Sequence, residues 1–191
     1  YLSLVAVALL SRVAMSFSRF PLHVAPVAGA SNGRPLREIM RQPVFIVAAL
    51  ASALGYGVMN LLMASTPIAM QQCQHPFDSA ALVLEWHVLG MFVPSFFTGH
   101  LIKRFGTLPV MGVGAALNFA CVAVALSGVD LMQFLVALFV LGVGWNFLYV
   151  GGTTLLTQAY RPEEKIKAQG AMDFCVFSTM AVSSFASGAL I

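Results

Sequence analysis

The sequence predicts an all-α, polytopic bundle of membrane-spanning helices, and three observations carry this prediction. Hydrophobic residues make up 59% of the 191-residue chain and charged residues only 9%, against about 25% charged residues in soluble domains. The mean hydropathy is +0.87. The hydrophobic residues also form runs long enough to cross a bilayer, with most charges lying between them. A soluble domain could not cover its surface with so few charges.

Five apolar segments are each long enough to cross a bilayer as a helix, which needs about 20 residues. A shorter first run, residues 1–10, ends at Ser11 and Arg12, so we expect residues 1–23 to form only part of a span. The last run reaches Ile191, and we expect the chain to be a piece of a larger polytopic protein. The five segments are residues 43–69, 80–102, 108–128, 131–158 and 168–191.

The ten Lys and Arg residues predict the orientation of these spans. Loops 71–79 and 127–130 contain no Lys or Arg, so every basic residue falls on one side of the membrane. This is the positive-inside pattern. We therefore expect a multi-pass protein of the bacterial inner (plasma) membrane, with a linker at residues 24–42 in the cytoplasm. The segments predicted to be cytoplasmic are 12–41, 103–107 and 161–167.

Cysteine spacing and charge argue against several other classes of protein. Cys73, Cys121 and Cys175 have neither metal-ligand spacing nor an even count for disulfides. The net charge of +3 fits basic cytoplasmic loops, and no basic patch is interleaved with aromatic residues. The sequence thus predicts no cofactor, no metal and no nucleic-acid partner.

Two spans share a short motif. LGYGVMN (Leu54–Asn60) and LGVGWN (Leu141–Asn146) each place L-G-x-G before an Asn, and the two motifs lie 87 positions apart. Three spans per repeat would make the second copy cross in the opposite direction, and inverted repeats are typical of transporters. The alternative is that the glycines only let helices pack closely. The motif alone does not separate these two interpretations.

The loop GHLIKRFG (residues 99–106) resembles the loop motif G-x-L-a-D-[RK]-x-G-[RK] of the major facilitator superfamily. In that family the loop joins the second and third helices of each six-helix half. Lys103 stands where the motif has Asp, and Thr107 where it has a basic residue, as in the degenerate copy of the C-terminal half. The matching residues are Gly99, Leu101, Arg104 and Gly106.

The resemblance implies a partial major-facilitator fold with inverted three-helix repeats. Residues 1–23 would be similar to helix six, residues 24–42 would be the inter-domain linker, and residues 43–191 would form the C-terminal half without its last helix. The missing N-terminal half would then pack against this chain as part of the same protein.

The resemblance also implies a substrate cavity, because helices seven and ten line it in the family. The motif-bearing spans would then face a substrate near the middle of the bilayer. Polar aromatic side chains there suit an organic solute better than a bare ion. The alternative is that these residues only pack between helices. The candidate cavity residues are Tyr56, Asn60, Trp145, Asn146 and Tyr149.

Three ionisable residues lie inside predicted spans, where charge is costly and therefore suggests function. Glu85 and His87 point to nearly opposite faces at about 100° per residue. We predict Glu85 to be a buried carboxylate that couples protons or binds a polar substrate group. We predict His87 to be a neutral hydrogen-bond partner between helices, with proton handling as the alternative. Asp173 either gains from the helix dipole or forms a gate contact when the cytoplasmic side closes.

These features predict a secondary active transporter that moves a small organic solute by alternating access, with proton coupling as an option. The alternatives are a membrane-embedded enzyme and a non-catalytic membrane scaffold. No H-E-x-x-H or G-x-S-x-G motif is present, so no enzyme is predicted. The expected partners are the solute, the lipid bilayer and the missing N-terminal half.

The predicted orientation can be tested by thiol labelling in intact cells. Cys73 should react with an impermeant thiol reagent because its loop is predicted to lie outside the cell, whereas a cysteine introduced by Thr107→Cys should not. Reversed labelling would contradict the orientation.

Overall fold

The computed structural model describes residues 2–17 and 33–189, and these residues are almost entirely helical. The chain divides into two units, Tyr1–Ser31 and Asn32–Ile191. The first contains helix α1 (Leu2–Phe17), which lies within the predicted partial span. The helices of the second unit are α2 (Leu36–Met40), α3 (Pro43–Gln72), α4 (Phe77–Phe92), α5 (Ser95–Phe105), α6 (Thr107–Ala125), α7 (Leu131–Leu156), a 3-10 turn at Pro162–Glu164, and α8 (Lys165–Ala189).

Within the described ranges, α3, α6 and α7 are long and apolar enough to cross a membrane, and α4 with α5 adds a fourth span if this bent pair is counted as one. The predicted span 80–102 is therefore not one continuous helix. Its two parts are bent by 40° at Val93 and Pro94. Proline has no N–H to donate, and its ring clashes with the carbonyl one turn earlier, which accounts for the break.

Helix α8 replaces the last predicted span but is more polar than the others. Its 25 residues would measure about 37 Å at 1.5 Å per residue, which is long enough to cross, yet it is too polar to qualify as a span by composition. Some of its hydroxyls pair with α3. Ser183 Oγ donates to the Gly57 carbonyl at 2.7 Å, and Asn60 Nδ2 donates to Ser184 Oγ at 2.9 Å.

Helix α7 is the centre of the second unit, because α3, α4 and α6 all pack against it. Two glycines of the LGVGWN segment allow these close contacts. A Cβ at Gly142 would lie 2.5 Å from the His87 carbonyl oxygen of α4, and one at Gly144 would lie 2.9 Å from the Gly114 carbonyl oxygen of α6. Any larger residue would push these helices apart. The glycines of this segment therefore serve close packing.

Asn146 ties α7 to the break between α4 and α5. Its side chain is 1% exposed, and Nδ2 donates to the Met91 carbonyl at 2.7 Å and to Ser95 Oγ at 2.6 Å. Its Oδ1 accepts from Thr98 Oγ1 at 2.7 Å. The carboxamide thus makes three hydrogen bonds within the helix packing, and its predicted place in the cavity stays a prediction.

The second half of the predicted linker is folded against the second unit, whereas residues 18–32 lie outside the described part of the chain. Ile39 of α2 is fully buried. Arg34 forms an ion pair with Glu164, with 2.7 Å between Nη2 and Oε2, and its Nη2 also donates to the Ala159 carbonyl at 3.0 Å. Gln42 Nε2 donates to the same carbonyl at 2.8 Å. These contacts fix the start of α3 to the turn between α7 and α8.

The Arg34 guanidinium and the backbone N–H of Arg161 hold the pKa of Glu164 well below its usual range. A carboxyl whose pKa is lowered on folding stabilises the fold above its unfolded pKa, which is about 4.3 for Glu. This stabilisation is lost as the pH falls through the lowered pKa of the folded chain. The ion pair is therefore fully formed throughout the physiological pH range.

Asn146→Ala should destabilise the protein more than Asn60→Ala. The first change removes three hydrogen bonds made by a buried carboxamide, at about 0.5–1.5 kcal/mol for each bond. The second change removes one hydrogen bond to Ser184 Oγ at 2.9 Å and a longer contact of 3.5 Å to the Met180 carbonyl. Thermal unfolding of the complete protein in detergent measures the difference. Equal shifts of Tm would show that Asn146 does not hold the break.

Candidate functional site

Three of the predicted cavity residues form one aromatic cluster between α3 and α7. The Tyr56 ring meets the Trp145 ring edge to face, with centroids 5.1 Å apart, and meets the Tyr149 ring in the same way at 5.0 Å. Trp145 and Tyr149 are stacked, with centroids 5.3 Å apart and planes inclined by 14°. They can stack because they are four residues apart, on the same face of α7. Tyr56 and Tyr149 are half-buried, so part of each ring is accessible.

This aromatic cluster lies in a groove formed by three helices. Helix α3 packs against both α7 and α8, whereas α7 and α8 make few or no close backbone contacts with each other in the described part of the chain. Helix α3 is therefore the floor of the groove, and α7 and α8 are its walls. Tyr56 lies on the floor near the middle of α3. Asn60 follows one turn later and bridges the floor to α8 through Ser184.

A small polar cleft continues the groove from Tyr149 toward the turn between α7 and α8. Its volume is about 220 Å³. Sequence analysis did not single out Thr153 or Gln169, although helical spacing could have found them. Thr153 lies four residues after Tyr149, and Gln169 lies four residues before Asp173, so each shares a helix face with a candidate residue. The cleft is lined by Tyr149, Thr153, Leu156, Gln169, Met172 and Asp173.

Trp145 brings a buried donor to the aromatic cluster. The side chain is 6% exposed, and its indole nitrogen Nε1 has no hydrogen-bond partner among the described residues. A buried N–H without a partner loses its hydration at a cost of about 1–3 kcal/mol. A ligand carbonyl or ring nitrogen that reached it would recover this free energy.

His87 is buried between helices, where its ring makes a hydrogen bond from α4 to α7. Its ring is fully buried, and Nδ1 lies 2.8 Å from the Leu138 carbonyl oxygen of α7. A carbonyl can only accept, so Nδ1 carries the proton. Nε2 has no partner within the described residues, which fits a neutral imidazole because a protonated Nε2 would bury an unpaired donor.

The predicted burial and coupling role of Glu85 stay predictions, and on the surface of the described helices its side chain is exposed. The reason is helical geometry. His87 faces α7, and Glu85 lies about 200° away around α4, on the face that no other described helix covers. Asp173 is also exposed, but it lies on α8 at the wall of the groove.

The loop motif at residues 99–106 lies where α5 turns into α6. Gly106 has φ of +91°, a conformation that residues with a side chain rarely adopt, and it separates the last residue of α5 from Thr107 at the start of α6. Arg104 lies over the Phe105 ring, with Cζ 5.3 Å from the centroid. A Cβ at Gly99 would meet nothing within 4 Å. The turn explains the second glycine of the motif but not the first.

Comparisons with known proteins agree on one family. The family model of the Major Facilitator Superfamily matches residues 45–191. The riboflavin transporter RfnT of Brucella anthropi is 46% identical over 166 residues, which cover 87% of this chain and 42% of that protein. Two uncharacterised transporters of the same superfamily from Bacillus subtilis, YddS and YdeG, are 35% and 34% identical over 76% and 89% of this chain.

The chain spans 33–42% of the length of these three relatives. No solved structure matches it. The family model covers all the described helices from α4 to α8 and nearly all of α3, and it includes every residue of the groove. An all-helical bundle with several apolar helices is also the architecture that the sequence predicted. The chain belongs to the Major Facilitator Superfamily.

Proposed function

We propose that this chain is the substrate-binding part of a secondary active transporter that moves a flat aromatic organic solute of the riboflavin class by alternating access. The observation that carries the proposal is the cluster of Tyr56, Trp145 and Tyr149 in an open groove between two motif-bearing helices. The relative from Brucella anthropi is named a riboflavin transporter. All three relatives are named transporters, which favours transport over the enzyme and scaffold alternatives.

The chemistry of the aromatic cluster suits a flat heterocycle. Aromatic pairs gain about 0.5–1.5 kcal/mol beyond the burial of their area, so a ring system that stacks on the accessible faces of Tyr56 and Tyr149 gains this from each contact. The N–H of Trp145 is buried without a partner in the described part of the chain, so it would donate to a ring carbonyl or nitrogen where a shift of the rings exposed it. Stacking provides affinity for the ring, and the single donor fixes its orientation.

Two features support alternating access. The groove is open along α8, so a solute on the α3 floor can be exposed or covered by small movements of its walls. The break at Pro94 also divides the α4–α5 span into two parts that α7 holds through Asn146, and hinges in transporters lie at such breaks. With the basic loops in the cytoplasm, the polar cleft is at the cytoplasmic end of the groove.

Trp145→Ala in the complete protein should reduce riboflavin uptake by roughly 10-fold or more, because Trp145 packs against both Tyr56 and Tyr149. Its loss would displace the two rings on which the solute stacks, at about 0.5–1.5 kcal/mol for each stacking contact. Trp86→Ala is the matched control. Trp86 is the chain's other tryptophan, it is 42% exposed, and it contacts Phe139 on α7 instead of the aromatic cluster.

Uptake of labelled riboflavin by cells, corrected for the amount of protein in the membrane, separates these cases. Equal uptake by the two variants would show that the aromatic cluster is a packing element and that the solute binds elsewhere.

Proton coupling through Glu85 stays a prediction. No hydrogen bond or ion pair to Glu85 is found in the described part of the chain. Because an unpaired carboxylate at membrane depth costs a few kcal/mol, Glu85 needs either a partner or a proton. Glu85→Gln in the complete protein should abolish accumulation driven by a pH gradient but leave exchange of solute between the two sides intact. Accumulation equal to that of the unmodified protein would rule out the coupling role.

A further inference from the structure

We infer that the polar cleft between α7 and α8 is a second subsite, which binds the hydroxylated side chain of a solute whose ring stacks on the aromatic cluster. This inference rests on the proposed function. It assigns to Asp173, Gln169 and Thr153 a part in choosing the solute.

The size and position of the cleft show that it can hold only part of a solute. Its volume of about 220 Å³ is below the roughly 300–1,000 Å³ of pockets that enclose a whole drug-sized ligand. Tyr149 belongs to both the cleft and the aromatic cluster. Thr153 is one helical turn further along α7, about 6 Å away along the axis. A chain of a few atoms attached to a stacked ring would therefore reach into the cleft.

The chemistry of the lining selects hydroxyl groups. The carboxylate of Asp173 offers only acceptors, whereas the amide of Gln169 offers both donors and acceptors. Thr153 Oγ1 donates to the Tyr149 carbonyl at 2.9 Å or the Val150 carbonyl at 3.0 Å, so the lone pairs of its oxygen are left to accept. A hydroxyl both donates and accepts, and this mixed set can satisfy both roles. A subsite for a cation would have little use for the amide donors of Gln169.

Asp173 and Gln169 are available for such a ligand. Both side chains are exposed and line the cleft from one face of α8. Neither forms a hydrogen bond or an ion pair with any other residue in the described part of the chain. Two basic residues, Lys165 and Lys167, lie about two turns earlier on α8, and Lys167 Nζ donates to the Arg34 carbonyl at 2.7 Å.

Binding of riboflavin and of a related tricyclic compound without the hydroxylated chain tests the subsite directly. Riboflavin carries a hydroxylated chain, and lumichrome has the same kind of tricyclic ring without it. Binding of each to the complete protein in lipid nanodiscs can be followed by flavin fluorescence. The unmodified protein should bind riboflavin more tightly than lumichrome. Asp173→Asn should weaken riboflavin binding roughly 10- to 100-fold, as expected for hydrogen bonds to a charged group, and leave lumichrome binding unchanged.

The control is Asp78→Asn, the same chemical change in the first turn of α4, outside the groove. It should affect neither ligand. Gln169→Ala should repeat the selective loss of riboflavin binding, which provides a second variant if Asp173→Asn folds poorly. Unchanged lumichrome binding shows that each variant is folded.

Four results would overturn the subsite. Equal losses for both flavins would assign Asp173 to the gate or to the fold, and unchanged riboflavin binding in both variants would leave the cleft without a role. Equal affinity of the unmodified protein for the two flavins would show that the hydroxylated chain of riboflavin is not recognised, while the ring-binding proposal stands. If the unmodified protein binds neither flavin, the proposed function fails and the subsite fails with it.

Discussion

The close packing of α7 against its neighbours is the constraint on which the rest of the structure depends. Lipid is as apolar as the side chains of these helices, so helix association in a membrane relies on close packing and on hydrogen bonds between helices. Gly142 brings the α4 backbone against α7, and Gly144 does the same for α6. The residues that follow, from Trp145 to Tyr149, are held in place as a consequence. A groove with aligned rings requires this rigidity, because stacking depends on the orientation of each ring.

Polar side chains complete this packing and leave one side of α7 free. Asn146 and His87 connect α7 with α4 and α5 through buried hydrogen bonds, while Ser183 and Ser184 connect α8 with α3. Helix α8 is thereby fixed to the floor of the groove and not to α7. At the other end, the ion pair between Arg34 and Glu164 fixes the turn from which α8 begins. The opening between α7 and α8 is thus a consequence of where these bonds are made.

The sequence predicted the parts of this arrangement that depend on composition and period. The apolar runs predicted α3, α6 and α7, and the two spans that carry the shared motif contain the predicted cavity residues Tyr56, Trp145 and Tyr149. Residue type and spacing could not decide which face of a helix meets a neighbour. Asn146 and Trp145 are adjacent in the sequence, yet Asn146 makes hydrogen bonds to α4 and α5, whereas Trp145 belongs to the aromatic cluster. The neighbours of Glu85 along α4 likewise do not reveal that His87 takes the face toward α7. The pairing of Arg34 with Glu164 joins residues 130 positions apart, which no local pattern indicates.

The central claim is that the groove between α3, α7 and α8 is where a flat solute binds. A structure of the complete protein with riboflavin bound, determined in a lipid nanodisc, tests it most directly. The account predicts the flavin ring in van der Waals contact, about 3.5–4.0 Å between heavy atoms, with Tyr56 and Tyr149, and the hydroxylated chain directed toward Asp173. Riboflavin bound at a site that touches none of the three helices would contradict the account.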